Sequence, residues 1–394
     1  MSFNWPLAST TWGQDEVSAG ISILESGNTT MGKDVKYFET EFADYFGSKF
    51  AIMANSGSSA NLLILAALLI KFKNRIRPGM EIIVPAVSWA TTYYPVNQCG
   101  FTLRFVDVDI DTLCISTESI KAAINENTFA IFAVNLLGQP APLQELKNLA
   151  DDHNLILIED NCESMGAEIG GKACGTFGLA GSFSTFYSHH INTMEGGMVL
   201  TDDEELKDII TSLRAHGWTR ELDDTNHIYN KSGDPWEDKF RFVLPGFNFR
   251  PLEISGRIGS IQLKKLEGFL ENRRENMNMF NETFGSVPGI KLQSGPGSSS
   301  SFGFSMILEN FSGVKFSKVV SQLQQLGVET RPIVSGNFTK QPVMKFLNFQ
   351  LSEKLQNADI VHNSGFFIGN HHFDLRHSIK NLKEPLLEII YVNE

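Results

Sequence analysis

Between residues 50 and 200, short apolar runs alternate with longer stretches in which apolar residues recur at helical spacing. The short runs predict strands, and the periodic stretches predict helices. The seven predicted strands cover residues 50–53, 81–84, 103–106, 130–134, 155–158, 182–186 and 198–200. The predicted helices between them cover residues 58–72, 117–125, 143–152 and 204–213. This alternation is typical of an α/β fold with a mostly parallel seven-stranded sheet and helices on both of its faces.

The flanking regions carry different patterns. Two short helices are predicted in the first 50 residues, and a long helix over residues 253–284 is predicted to stop at Gly285. The remaining predicted elements are a polar excursion over 217–247, strands over 303–308 and 328–333, a helix over 316–326, and a last helix that starts near Glu384 with Pro385 in its first turn. We therefore predict an N-terminal arm and a large α/β domain over 1–250, a linking helix over 251–285 and a smaller α+β domain over 286–394.

Composition narrows the class of protein. Hydrophobic residues make up 42% of the 394 residues and charged residues 20%, which is typical of a soluble globular protein. The net charge of −12 argues against a nucleic-acid partner, because phosphate backbones bind Lys and Arg surfaces. The N-terminus shows no basic segment followed by an apolar core, and the longest apolar stretch, 62–70, is too short to span a membrane. We expect a cytoplasmic protein with no membrane partner.

The four cysteines, Cys99, Cys114, Cys162 and Cys174, are far apart, and none forms a Cys-x-x-Cys pair. This spacing fits neither a zinc site nor a compact iron–sulfur site. We therefore expect no metal site.

Candidate ligand-binding residues follow the predicted strands. The small-residue turn Asn55–Leu62 opens a helix and offers backbone N–H groups to a phosphate, although any Ser-rich helix start looks similar. Trp89 follows the strand at 81–84. Asp160 and Glu163 follow the strand at 155–158, where side chains at the carboxyl end of a parallel sheet point into a ligand crevice.

Taken in order, these motifs resemble the nucleotide-sugar aminotransferases of fold type I, which use pyridoxal phosphate. In that family an aromatic-rich strand ends in Lys-Asn, and Glu-Gly-Gly comes six residues after the lysine. Here His189 stands six residues before Glu195. Histidine carries protons near neutral pH but has no amine for a Schiff base. The resemblance therefore implies proton transfer without covalent attachment of the cofactor. This is typical of the 3-dehydratases that act on nucleotide-linked 4-keto-6-deoxy sugars.

Individual roles come from this resemblance alone. It implies His189 as catalytic acid and base, Asp160 as the partner of the pyridine nitrogen, and Trp89 as the ring that stacks on the cofactor. Glu163, where the aminotransferases commonly have Gln, would lie near the ring hydroxyl. The implied cofactor-binding residues are Gly57, Ser58, Ser59, Trp89, Asp160, Glu163, Ser184 and Asn248. The implied substrate-binding residues are Ser188, Arg220, Arg250 and Glu329.

The resemblance also implies partners and cofactors. These are pyridoxal and pyridoxamine 5′-phosphate, held without a covalent bond, a GDP-linked 4-keto-6-deoxy sugar and L-glutamate as amino donor. In the family the residue matching Asn248 reaches the cofactor phosphate of the neighbouring subunit, so a homodimer with shared active sites is implied. Because the cysteines are dispersed, no iron–sulfur cluster is expected.

Alternatives remain open at this point. An aminotransferase that makes 4-amino sugars would need a lysine that position 189 lacks. A CDP-sugar 3-dehydratase would share the histidine but depend on an iron–sulfur cluster. A non-catalytic protein that senses a sugar or cofactor would have no use for the electron-withdrawing role of Asp160. The sequence alone does not say whether the histidine is native or engineered over a lysine.

Overall fold

The computed structural model describes residues 3–393. Its strands are β1 (Phe50–Ala54), β2 (Glu81–Pro85), β3 (Thr102–Val106), β4 (Thr128–Val134), β5 (Ile156–Asp160), β6 (Glu168–Ile169), β7 (Lys172–Ala173), β8 (Ala180–Ser184), β9 (Gly197–Thr201), β10 (Ile290–Leu292), β11 (Gly303–Leu308), β12 (Thr330–Pro332), β13 (Phe349–Leu351) and β14 (Gly365–Gly369). Its helices are α1 (Gln14–Ser26), α2 (Lys33–Phe46), α3 (Gly57–Lys71), α4 (Ala90–Gln98), α5 (Thr117–Ala123), α6 (Leu143–Asp152), α7 (Glu204–Arg214), α8 (Pro235–Lys239), α9 (Glu253–Phe284), α10 (Gly313–Gln325), α11 (Gln356–Ser364) and α12 (Arg376–Asn393).

The large sheet has the strand order β1-β9-β8-β5-β4-β2-β3-β13. All of its strands run parallel except β9, which is antiparallel to both β1 and β8. The seven predicted strands are present, and the predicted count is wrong by one. The eighth strand, β13, comes from the C-terminal region and pairs in parallel with β3 at the sheet edge. Its three residues are half-buried or exposed, so they lack the apolar run that identifies a central strand.

The smaller sheet is antiparallel, with the order β10-β11-β14-β12. Its buried face packs on α12 and the end of α9 through residues such as Phe280, Phe304 and Leu382. Trp5 from the N-terminal segment joins this core, and its indole Nε1 donates to the carbonyl of Gly369 at 2.7 Å. The division into domains stays a prediction, because β13 ties the C-terminal region to the large sheet as well.

Helix α9 has the predicted limits and connects the two sheets. Its first residue, Glu253, accepts hydrogen bonds from the backbone N–H groups of Gly32 at 2.6 Å and Asp34 at 2.7 Å, and so satisfies the free donors at the start of α2. A Cβ at Gly256 would lie 2.6 Å from the Val35 backbone, so glycine permits this close helix crossing. Gly285 follows the helix with a right-handed φ of −65°.

The prediction for the last helix is wrong at its start. α12 begins at Arg376, and Pro385 lies inside it rather than in its first turn. Buried residues on both sides of the proline, Leu382 and Leu386, keep the apolar face continuous. Tertiary packing of this face therefore outweighs the hydrogen bond that proline cannot donate. Among residues 3–393, no helix combines the length and apolar character needed to cross a membrane.

Candidate active site

A cavity of about 400 Å³ lies beyond the carboxyl ends of β2, β4, β5 and β8. Open α/β sheets bind ligands at this edge, where loops from neighbouring strands converge. Five of the residues singled out from the sequence line the cavity together: Trp89, Asp160, Glu163, Ser188 and His189. They come from three separate loops, so the fold assembles a site that is dispersed in the sequence.

Asp160 ends β5, and its carboxylate is held by two neighbouring helices. Its Oδ2 accepts from Asn61 Nδ2 of α3 at 2.8 Å and from Thr92 Oγ1 of α4 at 2.8 Å. Its Oδ1 accepts from the backbone N–H of Cys162 at 3.2 Å. These bonds fix the direction of a carboxylate that is 6% exposed. A negative group fixed in this way can hold a cationic partner inside the cavity.

Glu163 lies three residues after Asp160, in the turn that follows β5. Its Oε2 accepts from the backbone N–H of Leu137 at 3.1 Å. Burial raises the pKa of Glu163 to about 7, and the Asp160 charge adds to this effect, whereas the Leu137 hydrogen bond and the Arg331 charge oppose it. Near neutral pH, this carboxyl group therefore exists in both protonation states.

His189 lies in the turn that follows β8. Its backbone N–H donates to the carbonyl of Phe186 at 2.9 Å. The imidazole packs edge-on against Phe302, with ring centroids 5.3 Å apart, and its Nδ1 is buried without a hydrogen-bond partner among the described residues. Burial and the charge of Arg273 lower the pKa of His189 to about 4. The imidazole is therefore neutral at physiological pH and able to accept a proton.

The neighbouring His190 is fully buried. Its Nε2 bonds the carbonyl of Ser300 at 3.1 Å, and its pKa is lowered well below the ordinary value by burial and by Arg273. It does not line the cavity.

The predicted phosphate turn lies beside the cavity rather than in its lining. Ser56 caps α3 by accepting from the backbone N–H of Ser59 at 3.1 Å, which leaves Gly57 and Ser58 in the first turn. A Cβ at Gly57 would lie 2.8 Å from Cys162 Sγ and 2.9 Å from Ser184 Cβ. Glycine therefore lets the helix start approach both Ser184 and the cavity. The N-terminus of a helix is a favourable site for an anion.

Asn248, Arg220 and Arg250 are not part of the cavity lining. The strand-like segment that holds Asn248 runs past the phosphate turn, because the carbonyl of Phe249 accepts from the N–H of Asn55 at 2.9 Å. The guanidinium groups of Arg220 and Arg250 lie 5.6 Å and 5.9 Å from the ring centre of Trp218. These two arginines, which are far apart in the sequence, therefore form one cationic cluster around an aromatic ring.

Glu329 lines a neighbouring groove of about 600 Å³. Its Oε2 accepts from the backbone N–H of Leu7 at 2.9 Å. Leu7 and Arg331 line both the groove and the cavity, so the two spaces adjoin. A ligand longer than the cavity could extend into the groove.

Sequence reasoning gave no role to several residues that shape the site. Asn61 lies in the small-residue turn Asn55–Leu62, and Thr92 lies three residues after Trp89, so both are close to predicted ligand-binding residues. Phe302 gave no signal, because it follows a serine-rich turn and reaches His189 only through the fold. Arg331 is two residues from the predicted Glu329 and lines the cavity itself.

The residues of this cavity fit pyridoxal phosphate. Trp89 is 53% exposed, so the face of a large aromatic ring is free to stack on a planar ligand. The Asp160 carboxylate suits a protonated pyridine nitrogen, and the start of α3 suits a phosphate. At position 189 there is an imidazole, which cannot bind the cofactor aldehyde as a lysine amine would.

A sequence model of the DegT/DnrJ/EryC1/StrS aminotransferase family matches residues 11–375. The chain belongs to this family. A relative from Yersinia pseudotuberculosis, named GDP-4-keto-6-deoxy-D-mannose 3-dehydratase, is 51% identical over 381 residues, which cover 96% of this chain and 97% of the relative. Membership in the aminotransferase family, predicted from the sequence motifs, is confirmed.

Two solved structures extend this comparison. GDP-4-keto-6-deoxymannose-3-dehydratase with a trapped PLP–glutamate geminal diamine is 50% identical, has a TM-score of 0.94 and covers 97% of this chain and 100% of its own. A histidine-to-asparagine variant of the same-named enzyme, with bound GDP-perosamine, gives the same identity, TM-score and coverage. The fold-type I aminotransferase architecture is therefore confirmed as well.

Proposed function

We propose that this DegT/DnrJ/EryC1/StrS family member is a pyridoxamine phosphate-dependent 3-dehydratase of GDP-4-keto-6-deoxymannose that acts in deoxysugar biosynthesis. One observation carries the proposal: a cavity suited to pyridoxal phosphate has a half-buried, neutral histidine where the aminotransferases have lysine. The relatives that are about half identical over nearly the whole chain carry the name of this activity.

When bound, pyridoxamine phosphate supplies an amine for the C4 ketone of the sugar and a ring that withdraws electrons. Asp160 keeps the ring nitrogen protonated, and its bonds to Asn61 and Thr92 hold it in place for this task. In its neutral form His189 would accept the proton released from the C4′ carbon of the cofactor, and it would return a proton to the C3 oxygen as that oxygen leaves. Because the imidazole forms no covalent bond to the cofactor, His189 remains available for both transfers.

Glutamate restores the amine between turnovers in this proposal. The related structure with a trapped PLP–glutamate adduct supports glutamate as the amino donor. The related histidine-to-asparagine variant, whose structure contains GDP-perosamine, supports a GDP-linked sugar as substrate. Arg220 and Arg250 are suited to the diphosphate, because guanidinium groups make bidentate phosphate contacts. Glu329 and Ser188 are assigned to the nucleotide base or sugar, since Glu329 lies in the groove that adjoins the cavity.

We further infer a homodimer in which the partner contributes to each site. Helix α1 presents an exposed apolar stripe made of Val17, Ile21 and Leu24, which are 43%, 50% and 62% exposed. Such a stripe at helical spacing is suited to burial against another surface. In this dimer Asn248 of one subunit would reach the cofactor phosphate of the other. A cytoplasmic location completes the proposal and is supported by four free thiols.

The decisive experiment is incubation with GDP-4-keto-6-deoxymannose, glutamate and pyridoxal phosphate, with mass spectrometry of the sugar nucleotide. We expect a product that has lost one oxygen atom and gained no nitrogen, together with 2-oxoglutarate. A 4-amino sugar would identify an aminotransferase instead, and an unconsumed substrate that still binds would identify a sensor. His189→Ala should lower the dehydration rate by about 10²–10⁴-fold while the cofactor still binds.

A further inference from the structure

Arg273 is a buried cation that has no carboxylate partner within residues 3–393. It lies in the second half of α9, and its side chain is 4% exposed. Its Nη1 donates to the carbonyl oxygens of Asn370 at 2.8 Å and Phe302 at 3.2 Å, and its Nε has no hydrogen-bond partner. Burial alone lowers the pKa of this guanidinium to about 10, and no carboxylate among the described residues offsets that effect. An uncompensated buried charge is costly, so its presence calls for a role.

Phe302 connects Arg273 with His189 and His190. The Phe302 carbonyl binds the guanidinium, and its ring packs against His189 and His190, with centroids 5.3 Å and 5.6 Å away. Arg273 therefore holds the residue on which the His189 imidazole rests. Its charge also lowers the pKa values of both histidines, after the larger effect of burial.

Other ionisable groups also face His189. Asp160 and Glu163 line the same cavity from the β5 side, and Arg331 lines it from the smaller sheet. The two carboxylates favour an imidazolium, whereas the two arginines disfavour it. Asp160 already accepts three hydrogen bonds, and the pKa of Glu163 is raised to about 7, so its negative charge is only partly developed near neutral pH. Among the charges around His189, that of Arg273 is the one that shifts its pKa.

We propose that Arg273 is a positioning residue for His189, which fixes the imidazole against Phe302 and disfavours its protonated form. This inference rests on the proposed function, in which His189 first accepts a proton and then returns one. The fixed cation destabilises the imidazolium that forms on proton uptake, and so favours onward transfer to the departing C3 oxygen. Arg273 touches neither substrate nor cofactor in this role.

The test is NMR titration of the protein labelled with ¹³C at histidine Cε1 and saturated with pyridoxal phosphate, with the His189 signal assigned from His189→Ala. We expect a His189 pKa well below the ordinary value of about 6.5 in the wild-type protein. Arg273→Gln should raise it by about one pH unit or more, and Arg273→Lys should preserve most of the lowering. The acidic limb of kcat/KM against pH should move by the same amount.

Arg274→Gln is the matched control. Like Arg273, this neighbouring arginine donates to backbone carbonyls, those of Ser299 and Gly166. It is more exposed than Arg273 and does not shift the pKa of His189. The inference is overturned if Arg273→Gln leaves the His189 pKa unchanged, or if Arg274→Gln raises it equally. Should Arg273→Gln fail to fold, an ordinary His189 pKa in the wild-type protein overturns the inference by itself. Because the titration needs no turnover, an inactive protein with these pKa values would refute the proposed function and not this inference.

Discussion

His189 and Glu163 face one cavity, and burial shifts the pKa of each toward its uncharged form. The pKa of His189 falls to about 4, and that of Glu163 rises to about 7. The site therefore offers a neutral base and a partly protonated acid at the same pH. Opposite shifts of this kind are a common way for one cavity to supply both a proton acceptor and a proton donor.

Because the pKa of Glu163 is raised, we expect its contribution to the free energy of unfolding to depend on pH. Because the folded protein holds this proton more tightly than the unfolded chain, the contribution of Glu163 is greatest at low pH. It declines as the pH rises from the ordinary glutamate pKa of about 4.3 toward about 7. In the Glu163→Gln variant this side chain is uncharged at every pH. The free energy of unfolding of the variant minus that of the wild type should therefore increase by roughly 1–3 kcal/mol from about pH 5 to about pH 8. Chemical denaturation of the cofactor-free protein at both pH values measures this difference.

Glu118→Gln controls for the loss of one negative charge, since that side chain is 82% exposed on α5. It should show no such pH dependence. A Glu163→Gln variant whose relative stability is the same at both pH values would show that Glu163 is ionised in the fold throughout this range.

At the scale of elements, Asp160 connects the end of β5 to α3 and α4 through hydrogen bonds from Asn61 and Thr92. Thr92 of α4 bridges the carboxylate and Ser88 Oγ, with both oxygen–oxygen distances at 2.8 Å. A hydrogen bond to a charged group is worth roughly 1.5–3 kcal/mol, so Thr92→Val should slow turnover about ten- to a hundredfold. The measurement is kcat/KM in each half-reaction, because both need Asp160 in place.

A double-mutant cycle separates this role from a general loss of stability. In an Asp160→Asn background, Thr92→Val should have little further effect, since the charged acceptor is already gone. Additive losses would instead place Thr92 in an independent role. Thr40→Val, on α2 and bonded to the Lys36 carbonyl, is the control for removing a threonine hydroxyl.

The elements that the sequence predicts best are those whose pattern is local. β4 and β5 contain continuous apolar runs, and α9 keeps its apolar spacing for 32 residues, so all three were predicted. Helix α4 was missed because Ala90–Gln98 combines β-branched and aromatic residues with a proline, which have low helix propensity. It forms because Tyr93 and Val96 are buried.

The same distinction applies to the site. His189 and Asp160 were identified because each lies in a recognisable local motif. The bond from Asn61 to Asp160 spans 99 positions, and the contact between His189 and Phe302 joins two different parts of the chain. Such pairs depend on the order of strands in the sheet, which no local pattern in a single sequence specifies. Arg273 could not be found in this way either, because its contact with Phe302 and its lack of a carboxylate partner in the described part of the chain appear only in the folded structure.

At the scale of the whole molecule, Asn248 provides a test of whether each active site is built from two chains. The segment that carries Asn248 is bonded to Asn55, the first residue of the phosphate turn in the same chain. Asn248 is therefore tested for a role in the site of its own chain and for a role in the site of the partner. If Asn248 serves the partner, a dimer of one His189→Ala subunit and one Asn248→Ala subunit contains one intact site and one doubly damaged site. Random exchange between equal amounts should then restore about a quarter of wild-type activity, because half of the dimers are mixed.

If Asn248 served its own chain, each site in the mixed dimer would keep a single defect, and activity would stay at the level of the separate variants. The assay compares variants mixed just before measurement with variants allowed to exchange, and native mass spectrometry confirms the mixed dimer. Recovery that appears only after exchange requires that each active site is built from two chains. Confirmed exchange without recovery would refute the shared site, and the absence of any dimer would refute the assembly itself.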